Sequence, residues 1–150
     1  MASSRVRQVV PGSAFTYAVS LRVRHPNLDP AVLTETLHFA PLHSWKAGDP
    51  RRSATGAVLG GEHRDSYWSA PLPGDASGVA GFPLELFMAQ QLLQLTRHRE
   101  FLSRIQAENG QVSLLVEVSP VENAVLTLST GISRKLADLN IEVEFQFVSE

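Results

Sequence analysis

Phe15-Thr16-Tyr17-Ala18-Val19-Ser20-Leu21-Arg22-Val23-Arg24 is the stretch whose reading decides the fold. Phe15, Tyr17, Val19, Leu21 and Val23 are apolar, whereas Thr16, Ala18, Ser20, Arg22 and Arg24 are small or polar. A period of two places one row against a core and the other in water, so this is a half-buried strand. Pro26 ends the ladder, because it has no N–H to donate. Asp29-Pro30 then opens a helix: the carboxylate can accept from the free N–H groups of the first turn, and proline suits the first helical position. Val32, Leu33 and Leu37 give that helix its apolar stripe, and Pro41 lies beyond its end.

Working outward, the far end of the chain repeats the pattern. Ile141, Val143, Phe145 and Phe147 alternate with Glu142 and Glu144, which predicts the last strand. Val112, Leu114, Val116 and Val118 predict the strand before it. Ser66 to Ala70 reads as a third strand with Trp68 inward, and Leu42 to Lys46 as a short second one. Ala47 to Ser66 carries Gly48, Gly56, Gly60 and Gly61 among mixed charges and is expected to be a long surface loop. Pro71 to Gly81 reads as a second loop. Leu84, Met88, Leu92, Leu95, Leu102 and Ile105 recur at helical steps, with Pro83 at the start and Asn109-Gly110 as the stop. Arg97-His98-Arg99 marks a kink or a change of exposed face within that long helix. Ser129 is the expected N-cap of a third helix with Ile132, Leu136 and Leu139 buried. Val125 and Leu128 would extend its stripe backward, but Thr127, Thr130 and Gly131 are poor helix formers, which favours a short extended piece before Ser129.

Val19-Ser20-Leu21-Arg22-Val23 also resembles Val112-Ser113-Leu114-Leu115-Val116. Ala31 to Thr34 and Ala124 to Thr127 both read Ala-Val-Leu-Thr, at the same offset. An ancient duplication and a coincidence of two apolar patterns both account for this.

The order β-α-β-β-α-β followed by α-β predicts an α+β fold. It would be a ferredoxin-like split βαβ arrangement: a mostly antiparallel sheet of about five strands, about three helices on one face, and an extra C-terminal helix and strand. Arg22 and Arg24 are expected to pair with Glu142 and Glu144 across the polar faces of the first and last strands.

The chain has 150 residues, which fits a single domain over 1–150, with 1–13 a flexible polar lead-in. An apolar share of 43% with 19% charged residues is that of a globular chain. The net charge of −2 supplies no field to draw in nucleic acid or an anionic membrane. The absence of cysteine excludes disulfides, thiolate nucleophiles and cysteine-held metals or clusters. Met1 to Arg5 leads into no apolar signal region, and no run reaches the ~20 residues of a membrane span, so a cytoplasmic location is expected.

Over most of residues 15–148 the chain resembles the uncharacterised bacterial family catalogued as domain of unknown function 4279. The resemblance rests on the Tyr17 to Val23 strand, Leu28-Asp29-Pro30, Leu37, Pro41, Trp45 and Gly48-Asp49. It continues with Trp68, the long central helix, Asn123 and Leu128-Ser129. His38-Phe39 departs from it, standing where a glycine often ends the first helix, and so does the ending Glu144 to Phe147. The resemblance implies an α+β domain and transfers no catalytic residue; some relatives look like immunity proteins of toxin systems.

No constellation for catalysis is legible. His25, His38, His43 and His63 show neither an i, i+4 pair nor His-Glu-x-x-His, so no metal and no cofactor are expected. No Gly-x-Ser-x-Gly elbow, P-loop or dinucleotide fingerprint occurs, and Gly78 to Gly81 lacks basic neighbours. The arginine pairs are interleaved with acids, so no nucleic acid partner is expected. What remains is the set Trp45, Asp49, Arg51, Arg52, His63, Arg64 and Trp68, with Asp65, around one long loop. Trp and Arg on a scaffolded loop suit partner or ligand binding; the alternative is that both tryptophans are core anchors and the charges are solvated. The expectation is a non-enzymatic interaction module, with a toxin-like protein or a second copy of the chain as partner. The alternative is a small-ligand-binding domain or unrecognised enzyme with a pocket near residues 46–66.

Overall fold

The alternating rows at both ends of the chain form strands of one sheet. In the computed structural model, which describes residues 15–73, 83–120 and 125–148, β1 (Phe15–His25) lies at the centre. Around it come β2 (His43–Trp45), β5 (Ser66–Pro71), β6 (Gln111–Pro120) and β7 (Glu142–Phe147), in the spatial order β2-β5-β1-β6-β7. All neighbours are antiparallel except β6 and β7, which run parallel. The helices are α1 (Pro30–Leu37), α2 (Leu84–Thr96), α3 (Arg99–Ala107) and α4 (Thr130–Leu139). The chain is thus a mixed α+β structure.

Tyr17, Val19, Leu21 and Val23 of β1 join Trp68 and Ala70 of β5, the valines and Leu114 of β6, and the apolar stripes of all four helices in one core. Leu21, Leu114 and Trp68 are completely buried, each worth about 2–3 kcal/mol of apolar transfer. Burial also pushes the Tyr17 hydroxyl pKa up, beside a tilted contact with Phe87 at 5.9 Å between ring centroids.

The two similar segments pair with each other. Val19 faces Val116, Leu21 faces Leu114 and Val23 faces Val112, so their matching central leucines meet, as a local two-fold axis requires. The likeness stops at the strands: residues 125–129 belong to no helix or strand, and residue 124 lies outside those described.

Two of the helices, α1 and α4, begin on a side-chain cap. Asp29 Oδ1 accepts from the Ala31 N–H at 3.0 Å, and Ser129 Oγ from the Ile132 N–H at 3.2 Å. The Ser129 N–H donates to the Glu85 carboxylate, tying α4 to the first turn of α2. Thr96 Oγ1 donates back to the Leu92 carbonyl at 2.8 Å, and the long apolar run breaks at Arg97 and His98 into α2 and α3. The Arg97–Arg99 cluster therefore marks a true break, and the helices among the described residues number four rather than three. α3 closes on Asn109 at φ 72°, with Gly110 N–H donating to Ile105 O and Asn109 N–H to Gln106 O. Glycine at 110 is steric: a Cβ there would stand 2.5 Å from Ile105 Cγ2 and 2.7 Å from Ile105 O.

His25 makes the turn from β1 to α1. Its buried Nδ1 accepts from the N–H groups of Asn27 at 3.0 Å and Leu28 at 2.9 Å. The ring proton therefore sits on Nε2, which donates to Glu108 Oε1 at 2.9 Å.

The opposite face of the sheet carries no helix of the described residues. Arg22 pairs with Glu144 there, reaching across the intervening β6. Arg24 does otherwise: its guanidinium lies 5.0 Å from the centroid of Tyr67, so only one of the two expected ion pairs forms with the last strand. Residues 1–13 and the Gly78 to Gly81 stretch lie outside the described residues.

Candidate functional site at the base of a hairpin arm

Residues 47–66 were expected to be a loop; they contain a second, two-stranded sheet instead. β3 (Pro50–Arg52) and β4 (Val58–Glu62) pair antiparallel, and every residue of both is exposed. Pro50 faces Glu62 and Arg52 faces Val58, so β4 carries extra residues in a bulge. Gly60 and Gly61 supply it, at φ 89° and 75°. Neither strand has a core-facing side. Its side chains therefore show no alternation, and that is why the sequence pattern missed it.

Turn chemistry builds the arm. Lys46 to Asp49 is a tight turn with Gly48 at φ 93°, closed by Asp49 N–H to Lys46 O at 2.9 Å. The Asp49 carboxylate caps the same turn by accepting from the Lys46 N–H at 2.9 Å. Two backbone bonds, Gly48 N–H to His63 O and His63 N–H to Asp49 O, each 2.9 Å, clamp the base. At the tip, Ser53 Oγ accepts from the N–H groups of Thr55 and Ala57, and Arg52 Nη1 donates to Gly56 O at 3.0 Å.

The base is packed by stacked rings. Trp45 lies on His63 with centroids 4.1 Å apart and planes 14° apart, and on Tyr67 at 4.8 Å and 28°. With Arg24 over Tyr67, this makes a continuous His63-Trp45-Tyr67-Arg24 row on the helix-free face.

The structure thus brings Trp45, Asp49 and His63 together at the base, and places Arg51 and Arg52 on the exposed β3. Arg64 is exposed just after β4. Trp68 is separated from them: it faces the core on the other side of β5, fully buried, its indole N–H donating to Thr34 Oγ1 at 3.0 Å. Sequence reasoning missed Tyr67, Val58 and Leu59. Val58 and Leu59 are 61% and 55% exposed, and apolar residues inside a glycine-rich stretch were the available signal.

A polar groove of about 270 Å³ crosses the helix-free face beside Tyr67, lined by Arg22, Arg24, Gln111, Ser113, Glu142 and Glu144. Among the described residues no three His, Asp or Glu side chains converge as a metal site requires, and no helix is long and apolar enough to cross a membrane.

These features define a mixed α+β domain with a projecting β arm. The chain belongs to the family described as Domain of unknown function (DUF4279), whose model matches residues 14–149. Comparison with curated proteins and with solved structures finds no match.

Proposed function

We propose that this chain is a non-enzymatic protein-interaction module that grips a second protein with the β3–β4 arm. The observation that carries this is an arm whose strands bury nothing of their own yet hold out Val58 and Leu59 beside Arg51 and Arg52. A lone two-stranded ribbon is marginal in water, so one anchored by a clamp and three stacked rings is a feature worth having only if its surface is used. Exposed apolar residues flanked by arginine suit a protein partner. The partner would be toxin-like, the chain acting in the manner of an immunity protein in the cytoplasm. Its scaffold reads as a ferredoxin-like split βαβ unit, β2-β5-β1-β6, extended by β7.

The test replaces residues 51–61 by Asn-Gly and compares both chains, folded by circular dichroism, as cross-linked baits in the source cells. A partner held by the intact chain and lost by the shortened one is the expected result. Equal recovery by both removes the arm's role, and recovery of nothing by either removes the module. Light scattering on the purified chain tells a second copy from a foreign partner.

A second reading, a small-ligand site near the arm, draws on the polar groove beside Tyr67. Against it, Arg22 is already paired with Glu144 and Arg24 with the Tyr67 ring. An arm-shortened chain that loses no partner while a soluble metabolite co-purifies with the intact protein would favour it.

A further inference from the structure

We infer that the groove between the C-terminal ends of α1 and α2 binds a small carboxylic acid with an apolar body and one N–H or O–H donor. The groove lies on the helix side of the molecule, away from the arm, and the inference is independent of the arm's role.

Its volume is about 480 Å³, a size typical of small-molecule sites. Leu37, Phe39, Pro73 and Leu95 make apolar walls. Set into them is Gln91, only 9% exposed. Its Nε2 donates to Pro73 O at 2.9 Å, which fixes the amide orientation, since a carbonyl can only accept. The other end, Oε1, receives no hydrogen bond from the described residues. A buried acceptor left unmet is costly, so a ligand donor is the natural partner for it.

The groove wall also carries local strain. α1 ends on His38 at φ 63°, the left-handed region that a glycine would adopt freely. A histidine held there, against its own preference, lines the groove. The remaining lining groups set the charge. Arg97 is exposed, has no ion pair among the described residues, and stands with His98 on a wall whose described residues include no carboxylate. At the end of α2, Gln94 O and Leu95 O accept from Arg97 N–H and His98 N–H. An anion at Arg97, a hydrophobic body between Phe39 and Leu95, and a donor on Gln91 Oε1 together describe the ligand.

The experiment is a ¹⁵N-HSQC titration of the full chain with 4-hydroxyphenylacetate, phenylacetate and 4-hydroxyphenylacetamide, which separate the charge from the donor. Saturable shifts are expected at Leu37 to Phe39 and Leu95 to His98, with the hydroxy acid about tenfold tighter than either other probe. Arg97→Gln, an exposed change that leaves the fold intact, should bring the hydroxy acid down to the level of the amide. Gln91→Met should bring it down to phenylacetate. Absence of saturable shifts there up to about 10 mM overturns the proposal, as does equal affinity for the three probes or indifference to Arg97→Gln. Cross-peaks placing residues 74–82 in the groove of the free protein also overturn it, because the chain itself would then be the occupant.

Discussion

The β1–β6 pair at the centre of the sheet and the β3–β4 arm are both antiparallel ribbons, yet they exist for opposite reasons. The central pair is held by what it hides: Leu21 and Leu114 face each other at zero exposure, with valines on either side. The arm hides nothing. It is shaped by left-handed glycines, an Asp49 cap, a Ser53 turn and the ring stack at its base. Burial makes a strand stable and legible together, because it demands a period of two. Turn geometry can make a strand with no period at all.

Mutations should separate these two kinds of strand. Leu114→Ala should cost about 3–4 kcal/mol in urea unfolding, because the cavity opens at a completely buried position of the core. A cost under ~1 kcal/mol would mean the central pair is not the structural keystone. Gly110→Ala comes next, at about 2 kcal/mol, since its Cβ would overlap Ile105 at the point where α3 hands over to β6. Ile105→Val in the same chain should not recover it, because valine keeps Cγ2 and the overlap with Ile105 O is with backbone.

Trp45→Ala tests the junction between the two ribbons. We expect a loss of about 1 kcal/mol and, more tellingly, faster amide exchange at Gly48 and His63 than at Leu21. Uniform acceleration would show that arm and sheet open together.

Tyr17 gives a pH effect confined to alkali. Burial raises its folded-state pKa above the usual value of about 10, so the unfolded chain ionises first. The stabilisation is complete below the unfolded pKa and falls as pH climbs through the folded one. Tyr17→Phe should flatten that alkaline decline, read by chemical denaturation from neutral pH upward, with no change expected from the arm.

Smallest of all is Leu59→Ser on the arm, expected within about 0.5 kcal/mol of the parent, because the side chain is already 55% exposed. If that substitution unfolds the protein, the arm is part of the core economy and the comparison fails.

The legible parts of the molecule are those where one residue meets two environments. β1, β6 and β7 alternate between helix and water, Asp29 and Ser129 each satisfy an N–H they sit beside, and Asn109 takes the left-handed turn ahead of Gly110. Each such signal is local, within a few residues of the group it serves. Arg97 to Arg99 was legible only as a kink or a change of exposed face within one long helix, not as the break between two. The candidate site was only half visible. Trp45, Asp49 and His63 do meet, but Tyr67 completes their stack from a strand whose inward neighbour, Trp68, drew the reading to the core.

Chain chemistry alone determined that this is an α+β chain with capped helices, a strand at each end of the described segment and no cysteine chemistry. Tertiary structure alone decided that β5 inserts between β2 and β1, that of the two arginines expected to pair with the last strand only Arg22 does so while Arg24 turns to Tyr67, and that Gln91 meets Pro73 at the floor of a groove. The physical reason is range. Backbone hydrogen bonds, caps and apolar periods are settled among neighbours in sequence, whereas strand order and grooves depend on which distant surfaces fit, and no single residue carries that choice.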